Sequence, residues 1–411
     1  MGSSNKNYGV PLATMSFLLF LLGFVTWINN ILVPFMKAQF SISESQAQLV
    51  SAAFFGAYII SIPVGGVVKK LGYKKSVIIG SFITGIGCAI FIPALSISYG
   101  MVLGGLFVTA IGVVILQVVA NPYVIALGTP ETSASRLTLA MAINSVAAAL
   151  APFVGSFIIS GKGADITVDP FMAKLMFIVL AGISILSGIL LFFIDLPVIK
   201  DDEEEASETP SRSAWSYPHL IMGFVAIGMY MGLEVGVGNY FVSYASKNVG
   251  IDADVAAKIF SFYPICFVVG RLLGVGILKK YVATKVLLVN SLICVALLAT
   301  FFITKGTAFS IWPLIAQGLF LSIMWSVLFD LSMKDIPASV SKLASGIICT
   351  GVVFTGMWMY IMGKVVDSTG TVLADGSIDS STPDYGIAYA FFFFFYAYII
   401  FFALKGAKIR K

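Results

Sequence analysis

Twelve stretches of this chain, each about 20 residues or longer, carry almost no charge, and the polar positions between them fall in short clusters. They run near 12–35, 47–68, 76–97, 100–127, 136–160, 172–195, 219–246, 254–278, 284–304, 309–333, 340–366 and 386–406. An α-helix needs about 20 apolar residues to cross roughly 30 Å of hydrocarbon, so each run predicts a spanning helix. The first run, from about Val10 to Val33, is too long for a signal core and lacks a small-x-small cleavage site, so it is expected to stay as the first helix. Between the sixth and seventh runs comes the one long charged interruption, Lys200-Asp201-Asp202-Glu203-Glu204-Glu205 through Ser213, which reads as a solvated linker. The expected architecture is an all-α membrane protein: twelve transmembrane helices in two six-helix bundles, residues 1–197 and 218–411, joined by a cytoplasmic linker over 198–217.

The two halves echo each other. Gly66-Val67-Val68-Lys69-Lys70 with Lys75 recurs as Gly276-Ile277-Leu278-Lys279-Lys280 with Lys285, at a constant offset of 210 residues. Parallel repeats about an axis along the membrane normal would produce such a pair, and two unrelated basic loops are the alternative. With both termini and the linker on one side, seventeen Lys and Arg gather there, seven fall opposite, and Arg271 is left inside the eighth run. The excess places both termini in the cytoplasm.

Composition supports the membrane class. Only 11% of residues are charged, against about 25% for a soluble domain, and the mean hydropathy is +0.98. The net charge of +5 is then a topology signal and implies no nucleic-acid partner. Cys88, Cys266, Cys294 and Cys349 sit in separate apolar runs, and His219 is the one histidine, so neither a metal site nor enzyme chemistry is expected. No Gly-x-x-x-x-Gly-Lys-Ser/Thr loop is present for ATP-driven pumping. Against this background Leu116-Gln117-Val118-Val119-Ala120-Asn121-Pro122-Tyr123 stands out, because an amide and an Asn-Pro step in hydrocarbon are costly unless they face a polar cavity or another polar group.

Twelve helices in two halves with a charged linker resemble the major facilitator superfamily. Gly65 to Lys75 resembles that superfamily's motif after the second helix, with Lys69 where an acidic residue is usual. Ile28 to Pro34, Leu116 to Leu127, Arg136 to Ala140 and Asn144-Ser145 resemble the fucose-galactose-glucose:proton symporter family, and the similarity returns at Gly270-Arg271 and Ser322-Ile323-Met324. Fucose-type members have an aspartate where this chain has Asn30 and a glutamate where it has Gln117. Gln117, and Glu234 within Gly232 to Gly238, are similar to the glucose/galactose branch, whereas Asn30, and Met141 where a glutamine is common, depart from both. The resemblance implies a monomeric secondary transporter of the bacterial inner (plasma) membrane that imports a small neutral sugar, coupled to sodium or protons, with no cofactor and the lipid bilayer as its surroundings. A transporter or exporter of another solute is the alternative, since Ala151-Pro152-Phe153-Val154-Gly155 loosely resembles the superfamily's antiporter motif. A membrane sensor that has lost transport is a third.

The residues themselves place a site. Gly23, Trp27, Asn30 and Pro34 share one face of the first helix, and Trp27 beside Asn30 suits a sugar, whose C–H face stacks on the ring while its hydroxyls meet the amide. Gln117 and Asn121 are one turn apart on the fourth helix, and Asn144 lies one turn beyond Met141 on the fifth. Amides both donate and accept without holding charge. Interhelical glue worth about 1 kcal/mol or less is the competing role, and Asn121, beside Pro122, is assigned to it. Glu234 falls near the middle of the seventh helix, off a ridge of Gly228, Gly232 and Gly236 suited to close helix contact. A carboxyl at that depth is held protonated or balanced by a cation, either of which couples an ion to transport; a protonated structural glutamate is the alternative. Arg271 and Asp330, near the cytoplasmic ends of the eighth and tenth helices, are the candidates for a gating ion pair, with separate snorkelling as the alternative.

Overall fold

The computed structural model describes residues 9–42, 49–155, 159–160, 167–194, 196, 213–369, 371–372, 378–379 and 383–409. Among these, twelve helices are long and apolar enough to cross a membrane. They are α1 (Gly9–Phe40), α2 (Ala52–Leu71), α3 (Tyr73–Ile97), α4 (Tyr99–Ala126), α5 (Ser133–Gly155) and α6 (Pro170–Phe193). The second set is α7 (Pro218–Lys247), α8 (Lys258–Lys280), α9 (Ala283–Ile303), α10 (Ala308–Met333), α11 (Ser339–Val366) and α12 (Tyr385–Lys408). Each coincides with one apolar run of the sequence. Two antiparallel hairpins of two-residue strands were not foreseen: β1 (Ile159–Ser160) with β2 (Thr167–Val168), and β3 (Thr371–Val372) with β4 (Ile378–Asp379). They join α5 to α6 and α11 to α12, the same place in each half, which extends the internal repeat from the basic loops to the hairpins.

Helix ends follow from local chemistry. Ser98 Oγ accepts the Met101 N–H at 3.2 Å, and Asp169 Oδ1 accepts those of Phe171 and Met172 at 2.9 and 3.1 Å, ahead of a chain whose first helical residue is Pro170. These bonds satisfy amides that a helix start leaves without partners. Gly72, at φ +79°, turns the chain from α2 into α3 in one residue, a conformation that costs a glycine little. Arg136 closes the end of α4 by donating to the carbonyls of Val124, Ile125 and Thr129.

The described chain divides into two compact units, one holding residues up to Ser216 with Asp335–Thr350, the other Tyr217–Lys334 with Gly351–Lys411. Most of the expected linker, residues 198–212, lies outside the described residues; one boundary between the units falls after Ser216, and Asp335–Thr350 groups with the first unit. Packing explains this. A Cβ on Gly65 would lie 2.7 Å from the Lys342 carbonyl oxygen, and one on Gly346 would lie 2.4 Å from that of Ser61. Only glycines permit so close a backbone approach, which Ser345 reinforces by donating to the Val118 carbonyl at 2.7 Å. Lys342 is buried with Nζ 4.9 Å from the centre of the Tyr73 ring. The first part of α11 therefore packs on α2 and α4, and the chain changes unit at the 3-10 turn Gly351–Val353.

Within the first unit, α3 and α4 touch through reciprocal pairs: a Cβ on Gly87 would meet Thr109 N at 2.3 Å, and one on Gly112 would meet Thr84 N at 2.4 Å. Both threonine hydroxyls turn back to their own helix, on Gly80 and Gly105 oxygens. Close approach of small residues supplies packing where no water is available to drive association.

In the second unit the Gly228, Gly232 and Gly236 ridge does something other than seat a neighbouring backbone. It receives the rings of Phe354, Phe395 and Phe392, with the Trp358 indole N–H donating to the Gly228 carbonyl at 3.1 Å. Aromatic side chains from α11 and α12 fill the groove that three missing side chains leave on α7. His219 is buried with Nε2 2.9 Å from the Lys334 carbonyl oxygen, a link between the ends of α7 and α10.

Candidate functional site

Gln117 and Asn144, in the first unit, lie at one depth. Gln117 is about nine residues before the end of α4, and Asn144 about eleven after the start of α5. Consecutive spans run oppositely, so a rise of about 1.5 Å per residue puts them within roughly 3 Å of the same level. Asn144 Nδ2 donates to the Leu19 carbonyl at 2.7 Å, and Gly23 is what admits it, since a Cβ there would sit 2.5 Å from that nitrogen. The Gly23 face of α1, which carries Trp27 one turn on, therefore meets α5 at Asn144. Half-buried, Asn144 keeps Oδ1 and its second N–H for another partner. Met141, one turn earlier, is 5% exposed. Trp27 is half-buried, and the side chain of Asn30 lies outside the described set although its backbone continues α1.

Gln117 has a partner that the sequence did not disclose. The Tyr58 hydroxyl on α2 donates to Gln117 Oε1 at 2.6 Å. Asn121, one turn on, departs from its assigned structural role: it is fully buried, and neither amide atom has a hydrogen-bond partner among the described residues. Leaving such groups unsatisfied costs about 1–3 kcal/mol each, so a glue role finds no bond to support it.

In the second unit three helices converge on Glu234. It lies about sixteen residues into α7, roughly 24 Å along the helix, and is half-buried. From α8, the Tyr263 hydroxyl donates to the Glu234 backbone carbonyl at 3.3 Å. Tyr263, Phe267 and Arg271 are spaced one turn apart on α8, with rings of the first two 5.1 Å apart and the guanidinium 5.5 Å from the centre of the third member's neighbour, Phe267. Arg271 is buried, and its Nε donates to the Ser322 carbonyl at 2.9 Å. Tyr230, one turn before Glu234 on α7, is fully buried. From α10, Trp325 lies 6.2 Å from the Tyr230 ring.

Arg271 Nε bonds the Ser322 carbonyl, where α10 breaks between Leu321 and Met324. Asp330 is half-buried roughly two turns further on, about 12 Å along a helix axis. A gating pair of Arg271 with Asp330 remains a proposal.

A bundle of twelve apolar helices with amides at one depth in one unit and a deep carboxyl in the other defines a multi-pass membrane transporter. The Major Facilitator Superfamily profile matches residues 15–360, and the chain belongs to that superfamily. A glucose/galactose transporter of Brucella abortus is 36% identical over 99% of this chain and 96% of its own length. The L-fucose-proton symporter of Escherichia coli is 29% identical over 90% of this chain and 89% of its own. Among solved structures, the Major Facilitator Superfamily transporter FucP in the outward conformation superposes with a TM-score of 0.81 at 26% identity, covering 98% of this chain and 99% of FucP.

Proposed function

We propose that this protein is a secondary active transporter that imports a small neutral sugar, a hexose or a close relative, by alternating access. The observation that carries the reading is the full-length similarity to a protein named for glucose and galactose, to which the site adds chemistry of the right kind. Gln117 and Asn144 lie at one depth with hydrogen-bonding capacity unspent, and Trp27 supplies an apolar platform on the adjoining helix. Asn30 and Met141 complete the proposed substrate wall. Such a surface binds hydroxyls and C–H faces without demanding a charge.

Coupling to sodium or a proton is assigned to Glu234, the one acidic side chain deep in a described span. No cofactor takes part, the working unit is a monomer in the bacterial inner membrane, and the termini and linker are cytoplasmic, as the excess of Lys and Arg dictates. A gating role for Arg271 with Asp330 requires the two to touch in one conformation and separate in another.

The deciding experiment is uptake of labelled glucose, galactose, mannose, fucose and N-acetylglucosamine into proteoliposomes, with a sodium gradient, a proton gradient or neither. Uptake of at least one sugar, raised by one gradient, is expected. Sugar-independent behaviour throughout would leave a different solute or a sensor. For topology, cysteines introduced at Ser207 and Ser377, both outside the described residues, should label from opposite faces of the membrane; equal labelling in intact cells would overturn the orientation.

A further inference from the structure

The second span is not one continuous α-helix. An α-helix over Leu49–Gly56 passes into a 3-10 stretch, Ala57–Ile60, before the α-helix Ser61–Leu71. The tighter winding of a 3-10 stretch re-aims the side chains it carries, and such a stretch inside a helix is a common mark of function. Tyr58 sits in it, 3% exposed, with its ring 6.5 Å from that of Phe55.

The Tyr58 hydroxyl spends its proton on Gln117 Oε1 at 2.6 Å, a short bond between two side chains inside a single packed unit. A glutamine amide is otherwise two-faced: rotated by half a turn it offers an oxygen where it had offered a nitrogen. With the oxygen engaged, the group left to face outward is the NH2. The second unit contains the same pairing, Tyr396 to Gln317 at 2.6 Å, but there the glutamine is completely buried and its Nε2 has no partner. Gln117 retains 8% exposure, and its Nε2 is absent from the buried atoms without partners. One pair is sealed inside its bundle, and the other keeps a glutamine that is partly exposed.

We propose that Tyr58 is a positioning residue that locks the Gln117 amide with its nitrogen toward the sugar, so that this point of the site selects a sugar oxygen through its lone pair. The inference rests on the reading of Gln117 as a sugar contact and deepens it. Turning the amide over would make the Tyr58 oxygen an acceptor of the amide N–H and leave its own buried hydroxyl proton without the acceptor it now has, which is costly, so the observed orientation is the one presented to substrate. The sugar oxygen at this point accepts a hydrogen bond. A fluorine in its place retains an acceptor, and a hydrogen does not.

The test measures binding of glucose and galactose with their singly deoxy and singly fluoro analogues, to the purified full-length protein and its variants. In the parent, one ring position should show deoxy substitution costing about ten-fold more affinity than fluoro substitution. In Tyr58→Phe the amide is free to turn, and that difference should shrink to about two-fold or less while the parent sugar binds several-fold more weakly. Gln117→Asn, whose shorter side chain cannot reach Tyr58, should lose the same preference and serves if Tyr58→Phe folds poorly. Tyr396→Phe breaks the sealed pair and should leave the analogue pattern parental, which separates positioning from general loosening. In a Gln117→Ala background, Tyr58→Phe should change affinity less than about two-fold, because Tyr58 acts through Gln117. A weakened Gln117→Ala with a parental analogue pattern in Tyr58→Phe overturns the positioning role alone. Parental binding by Gln117→Ala overturns the sugar-contact reading and this inference with it.

Discussion

Replacing Glu234 by glutamine is expected to abolish uphill accumulation of sugar while sugar-for-sugar exchange continues. Moving one elementary charge through a potential of about 100 mV is worth about 2.3 kcal/mol, enough to hold roughly a fifty-fold concentration ratio. A carrier that has lost its coupling group relaxes to a ratio of about one. Glutamine matches the carboxyl in shape, so Tyr263, which bonds the backbone oxygen of residue 234, keeps its partner. What the amide cannot do is release a proton or balance a cation.

The location of Glu234 makes it the coupling candidate over other acids. It is half-buried deep in a long span, where an ionised carboxyl is costly unless a proton or a cation balances it. Tyr263 from the next helix holds the backbone at this point. The measurement is accumulation of labelled sugar in energised vesicles set against counterflow in de-energised ones. A variant that still concentrates sugar as the parent does would make Glu234 structural.

How much of this was legible in the sequence depends on which interaction fixes each feature. The spans were legible because hydrocarbon imposes one rule along some 20 residues at a time, and α4 or α9 obeys it whatever its neighbours do. Interruptions inside spans were less legible. The 3-10 stretch at Tyr58 is followed by Pro63, whose missing N–H leaves a carbonyl one turn back without its helical bond, a local signal that went unread, whereas the break after Leu321 lies in sequence as apolar as the helices around it. The ridge of three glycines at four-residue spacing on α7 correctly announced close packing, but glycine spacing does not say whether a backbone or a phenylalanine ring fills the groove. The attachment of Asp335–Thr350 to the first unit depends on Gly65 and Gly346, distant in sequence, and no local pattern joins them.

The candidate site shows the same division. Gln117 and Asn144 were found because an amide in an apolar run is conspicuous. Tyr58 was missed because a tyrosine in such a run is ordinary, and its hydroxyl becomes informative only when seen 2.6 Å from Gln117. Arg271 was recognised as costly to bury, but its bond to the Ser322 carbonyl at the break in α10 joins residues 51 apart, and no local pattern announces it. The repeat in the basic loops, by contrast, pointed to a duplication that the paired hairpins extend.

Removing the amides tests the substrate class most directly. Gln117→Ala and Asn144→Ala should each weaken binding of the transported sugar by about ten-fold to more than a hundred-fold, since a buried hydroxyl left without its partner costs about 1–3 kcal/mol. Each substitution also has a structural cost: Gln117→Ala strands the Tyr58 hydroxyl, and Asn144→Ala gives up the bond to the Leu19 carbonyl. The two costs separate experimentally. Lost structure lowers the thermal midpoint without sugar, whereas lost recognition reduces the increase that saturating sugar produces in the parent, because a ligand stabilises only in proportion to its occupancy of the folded state. The expected result is a modest fall in the first quantity and a large fall in the second, at unchanged expression. Should both variants respond to sugar as the parent does, the wall formed by α4 and α5 does not read hydroxyls. Asn30 and Met141, the two positions where this chain departs from the sugar symporters it resembles, would then mark a site reshaped for a different solute.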